Sequence, residues 1–111
     1  MDDKIKKFLY DIEVAINEIE SFVKERGRSY SIFVNDAFYQ RAVERNIEII
    51  GEAVNRILKL QPAIKITSAR KIVDTRNYII HAYDSLEPDK IWVIVVNHLP
   101  KLLEEVRMLL G

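Results

Sequence analysis

The residues best equipped for chemistry in this 111-residue chain lie together in Arg76-Asn77-Tyr78-Ile79-Ile80-His81-Ala82-Tyr83. A histidine that titrates near neutrality and an arginine that never loses its proton are suited to moving protons around a phosphate. RNA cleavage without a metal needs a base for the 2′-hydroxyl, an acid for the leaving 5′-oxygen, and a fixed cation for the charge growing on phosphorus. His81 can act as base or acid, and Arg76 as the cation. Nearby, Lys65, Arg70, Lys71 and Arg76 face only Asp74. That is a weak phosphate-binding signal, because most such charges simply solvate a face.

Helical arithmetic constrains how these residues meet. Each residue turns about 100°, so Arg76 falls about 40° from Ile72, inside the apolar stripe of Ile72 and Ile80. A buried guanidinium must find an acid, carbonyls or a bound anion. The plain solution is an ion pair with Glu44, Glu48 or Glu52. His81 lies about 140° round from Arg76 and shares no face with it on a regular helix. Asn77, one turn before His81, does share its face and is placed to orient the ring. Arg76 and His81 converge if the helix unwinds near Asp84, or if they come from two subunits across a two-fold axis. Taken alone, His81 reads as a surface histidine or one satisfied by its neighbours. Tyr83, about 20° from Ile72, reads as a core tyrosine.

Other chemistries drop out. Cysteine is absent, which excludes disulfides, thiolate metal sites and a cysteine nucleophile. Glu44, Glu48 and Glu52 stack like carboxylates of a di-iron bundle, but no Glu-x-x-His pair accompanies them, so no metal is expected. No Gly-rich phosphate loop or Gly-x-Ser-x-Gly occurs, and the length leaves no room for a cofactor domain, so no cofactor is expected. Lys+Arg and Asp+Glu balance at 17 each, so any nucleic-acid binding must be local. No apolar run reaches the roughly 18 residues of a membrane span, and Met1-Asp2-Asp3-Lys4 does not open a signal peptide. The chain reads as cytoplasmic.

The elements that must position the segment are helices, in a single domain over residues 1–111. Ile5, Leu9, Ile12, Ile16, Ile19 and Val23 define the first helix, which stops at Gly27. Arg28 to Val34 reads as a connector. A second helix runs from about Asp36 to Leu60, with Gly51 at mid-helix, where glycine costs about 1 kcal/mol relative to alanine. That cost implies another backbone passing close by. A third helix starts at Thr67 or Ser68 and ends near Tyr83. A fourth runs from Pro88 to Leu110, kinked at Pro100, where His98 is placed to bond the backbone groups that the kink frees. These helices predict an all-α, antiparallel four-helix bundle with a kinked C-terminal helix. The fourth helix is apolar on all sides over Ile91–Val96, so a homodimer is the economical way to cover it, with Trp92 in the interface or core.

Arg76-Asn77, His81 and Tyr83 read as Arg-Asn-x-x-x-His-x-Tyr, which resembles the signature of HEPN domains. The stretch Ala42–Ala53, with Glu-Ile-Ile-Gly-Glu-Ala at its end, and Trp92 with Leu99-Pro100 narrow the resemblance to HepT-type toxins paired with MntA-type minimal nucleotidyltransferases. It covers nearly the whole chain. The resemblance implies a dimeric helical bundle and a metal-independent endoribonuclease site at the subunit interface. It assigns acid/base work to His81, the phosphate to Arg76, and the polar position after the arginine to Asn77. It further implies a nucleotidyltransferase antitoxin that adds AMP to Tyr83, which then has to be exposed beside the cleft. The alternative is a non-catalytic subunit presenting a nucleotide or substrate to that partner. A third possibility is a dimeric scaffold in which Arg76 is only an ion pair.

Overall fold

The computed structural model describes the backbone of residues 1–111 and every side chain except that of Tyr83. All regular structure in it is helical: α1 (Asp3–Arg26), α2 (Tyr30–Val34), α3 (Ala37–Leu60), α4 (Ala69–Ala82), α5 (Pro88–Val93) and α6 (Leu99–Leu110). The Asp2 carboxylate accepts from the Lys4 N–H at the start of α1, and the Asp36 carboxylate accepts from the Tyr39 N–H at the start of α3. Such side chains satisfy donors that a helix start leaves bare. Gly27 closes α1 at φ 114°, a backbone state that side-chain-bearing residues avoid.

α3 lies at the centre, packed against α1 on one side and α4 on the other, while α6 returns along α1. Leu9, Ile12, Ile16 and Ile19 of α1 are fully buried, as are Ile47, Ile50 and Ile57 of α3. Each such side chain contributes about 1.5–3 kcal/mol by leaving water. These are the stripes expected from sequence, and the all-α bundle follows from them.

Three expectations need correcting. The connector over 28–34 contains a helix, α2, capped by Ser29. Its Phe33 is fully buried, with its ring 5.0 Å from Tyr39 and 5.0 Å from Trp92. The apolar surplus of the last helix is therefore met largely within the chain. Ile91, Ile94 and Val95 are buried and Trp92 packs on Phe33, leaving only Val93 and Val96 exposed. The kink at Pro100 takes the form of a π-helical turn over Ile94–His98, in which the Leu99 N–H reaches back to the Ile94 carbonyl. Proline has no N–H and crowds the preceding turn, and widening that turn accommodates both effects. His98 does not bond the freed backbone. Its Nδ1 lies 3.2 Å from the Ser68 hydroxyl.

α4 starts at Ala69, just after the expected start at Thr67 or Ser68. The Glu105 carboxylate of α6 accepts from the Thr67 N–H and from its hydroxyl at 2.6 Å, tying the approach to α4 onto the last helix. Among the described residues no helix is long and apolar enough to cross a membrane.

Candidate functional site

Gly51 is where α4 crosses α3. A Cβ placed on Gly51 would collide with Cβ and Cγ of Arg76 and lie 3.3 Å from the Ile72 carbonyl oxygen. The missing side chain thus makes room for the stem of the arginine. Replacing it tests the contact. Gly51→Ala gains about 1 kcal/mol of helix propensity against an overpacking cost of about 1–3 kcal/mol. The close contacts with Arg76 put that cost at the upper end, so the net result is a loss of about 1–2 kcal/mol. Urea unfolding measures it, and a stabilised variant would show that α4 does not press on this glycine.

With its stem over Gly51, the guanidinium reaches the next side chain along α3. Arg76 Nη2 lies 2.7 Å from Glu52 Oε2, and Nη1 donates to Asn77 Oδ1 at 3.0 Å. The other oxygen of Glu52 accepts from Arg56 Nε at 2.8 Å. The expected carboxylate partner of Arg76 is thus Glu52, rather than Glu44 or Glu48. The pair is not sealed in the core: its side chains keep 28% and 37% of their exposure. They open onto a groove of about 490 Å³ between α1, α3 and α4, where Phe8, Ile49 and Ile80 form apolar wall, Arg45 and Arg56 add positive charge, and Asp11 and Glu48 add negative charge.

His81 is exposed in the last turn of α4 and does not line this groove. α4 stays α-helical through Ala82, and the tighter 3₁₀ turn begins only at Tyr83. Unwinding therefore comes too late to swing His81 toward Arg76 of its own chain. Asn77, expected to orient the imidazole, has its amide oxygen on Arg76 instead. The side chain of Tyr83 lies outside the described residues, and with it the question of its exposure.

A second groove, of about 380 Å³, is lined by Arg41, Glu44, Glu48, Ile79, Asp84 and Leu86. Burial, and then the neighbouring charge of Glu48, push the Glu44 carboxyl above its ordinary value, with Arg41 opposing. The folded chain therefore holds that proton more tightly than the unfolded chain does. Stability falls as pH rises from the ordinary carboxylate range through the raised value. Glu44→Gln removes this slope and should be more stable than the wild type at pH 7. Denaturant midpoints at acid and neutral pH check the prediction, and a pH-independent difference between the two proteins would contradict it. Among the described residues no group of three or more His, Asp or Glu side chains is placed to hold a metal ion.

Sequence reasoning did not single out Arg45 or Arg56 as groove residues. The signal available was the i, i+4 spacing of Arg56 from Glu52, which gains meaning only once α4 is known to cross beside it.

Comparison with known proteins bears on the chain as a whole. Residues 12–109 match the family described as ribonuclease HepT-like. A candidate RNase of Methanocaldococcus jannaschii is 34% identical over 106 residues, covering 94% of each chain. A protein of Thermococcus cleftensis that carries the name ribonuclease HepT is 36% identical over 101 residues, covering 87% of each. A candidate RNase of Caldanaerobacter subterraneus is 30% identical, covering 89% of this chain and 90% of its own. No solved structure matches the chain significantly.

Proposed function

The chain belongs to the ribonuclease HepT-like family, and from that premise we propose that it is a metal-independent endoribonuclease, the toxin of a toxin–antitoxin pair. Its substrate is single-stranded or looped RNA, such as an exposed segment of tRNA or mRNA. The imidazole of His81 takes the proton of a 2′-hydroxyl, and that oxygen attacks the adjoining phosphorus. The 5′-oxygen leaves with a proton returned by imidazolium, so the products are a 2′,3′-cyclic phosphate and a 5′-hydroxyl. Arg76 bears the charge that grows on the phosphate oxygens.

The observation that carries this reading is the Arg76 guanidinium, held by Glu52 and Asn77 yet open to a groove. Arginine has five N–H donors in a fixed fork, so two partners fix its plane and leave donors for a phosphate. The absence of His81 from the lining of that groove favours a homodimer in which one subunit's His81 approaches the other's Arg76. In this reading a cognate nucleotidyltransferase antitoxin silences the enzyme by transferring AMP from ATP to the Tyr83 hydroxyl oxygen, with pyrophosphate as the leaving group. The Arg76–Glu52 pair is also what a plain scaffold or a nucleotide-presenting subunit would contain, so activity has to separate them. The test is cleavage of total RNA and tRNA by purified protein in excess EDTA, with intact mass recorded to detect modified Tyr83. Cleavage by unmodified protein is the expected result. Its absence would favour the non-catalytic, nucleotide-presenting subunit.

A further inference from the structure

The groove beside Arg76 holds a second guanidinium that the chemistry above leaves unused. Arg56 Nε sits on Glu52 Oε1 at 2.8 Å while Arg76 Nη2 sits on Oε2 of the same carboxylate at 2.7 Å. Two guanidinium charges against one carboxylate leave this cluster with a net single positive charge. Arg56 commits only its Nε to Glu52, so both of its terminal amino groups stay available, and its side chain keeps 60% of its exposure. The remaining cation of the groove, Arg45, is paired more loosely, 3.6 Å from Glu48.

As a device for stability the Glu52–Arg56 pair is worth little, because exposed i, i+4 pairs contribute about 0.3–0.5 kcal/mol. Its sharing with Arg76 gives it a different consequence. Glu52 offsets the repulsion between two arginines and fixes where each guanidinium stands. Each guanidinium holds a different oxygen of that carboxylate, so the two arginines present separate sets of remaining donors. Two successive phosphates of a strand can each take one.

We infer that Arg56 is a second phosphate-binding residue, holding the phosphodiester next to the one at Arg76, and that Glu52 is the positioning residue that sets their separation. The inference rests on the nuclease reading and adds to it the requirement for at least two phosphates. It also predicts that a single-stranded oligonucleotide is held along α3 rather than at one point.

The experiment measures binding of an uncleavable 2′-O-methyl hexanucleotide and a 2′-O-methyl dinucleoside monophosphate across a salt series, by fluorescence anisotropy. For Arg56→Gln the hexanucleotide Kd should rise about tenfold at low salt, the scale of one lost charge-assisted contact. The slope of log Kd against log salt should fall by about 0.7, the value for one phosphate on a single strand. The dinucleoside monophosphate, with one phosphate, should lose far less, and Arg56→Lys should recover most of the slope. Glu52→Gln should bind the hexanucleotide at least as tightly, having lost a negative charge, yet cleave the unmodified RNA with a lower kcat. An unchanged slope in Arg56→Gln overturns the inference while leaving the nuclease reading intact. An equal loss on both ligands overturns the neighbouring-phosphate assignment. A wild type that neither binds nor cleaves RNA overturns both readings together.

Discussion

His81→Ala should lower RNA cleavage by about 10²–10⁴-fold, the range carried by a general acid–base group. The same change should leave the unfolding free energy within about 0.5 kcal/mol, because surface substitutions away from packed features cost little. The imidazole is exposed in the last turn of α4, outside the core. A large loss of activity with an unchanged melting curve would place His81 in the chemistry. Equal cleavage by wild type and variant would point to contamination or to a different site. The pairing of His81 with Arg76 can be read from mixtures. If each site draws Arg76 from one subunit and His81 from the other, inactive His81→Ala and inactive Arg76→Ala chains regain activity when mixed. One of the two sites in each heterodimer is then intact, and with half of the dimers mixed, about a quarter of wild-type activity returns. Sites built within one chain would give no recovery. The regular geometry of α4 through Ala82 is the reason to expect recovery.

The bundle was legible because its long helices carry their apolar residues in steps of three and four, and those stripes are the buried ones. Gly51 was informative for the same kind of reason: a costly residue at mid-helix implied a close approach, and Arg76 supplies it. The choice of Glu52 among three stacked carboxylates was not legible, since it depends on where α4 crosses α3. The crossing sits at residue 51, and the next side chain becomes the partner. α2 was hidden for another reason. It is five residues long, and part of the packing that buries Phe33 comes from Trp92, far along the chain. Such a short helix has little stability of its own and owes its form to that packing. The π turn shows the same division of information. Pro100 announced a disturbance of the helix, while its form depended on how the surrounding packing received the widened turn.

Arg76→Ala should reduce cleavage by about 10²–10³-fold, the cost of removing one group aimed at developing charge. Its effect on stability separates the catalytic reading from the scaffold. Breaking a buried ion pair by removing one partner costs about 3–5 kcal/mol, because the other charge is left stranded. Here the stranded group would be Glu52, which keeps 37% of its side-chain exposure and retains Arg56. Water and a remaining guanidinium compensate it, so the expected loss is about 1 kcal/mol or less. The Cβ that packs over Gly51 survives in alanine, which preserves the helix crossing. Arg76→Lys sharpens the comparison. An ammonium restores a charge near Glu52, but not the planar fork that meets Glu52, Asn77 and a phosphate at once. Stability should therefore return nearly to wild type while cleavage stays at least about tenfold down, the loss expected when one charge-assisted contact is missing. Full recovery of cleavage by lysine would reduce the role of Arg76 to that of a point charge. A loss of several kcal/mol in Arg76→Ala, with little change in the rate per folded molecule, would make Arg76 a structural residue and move the chemistry elsewhere.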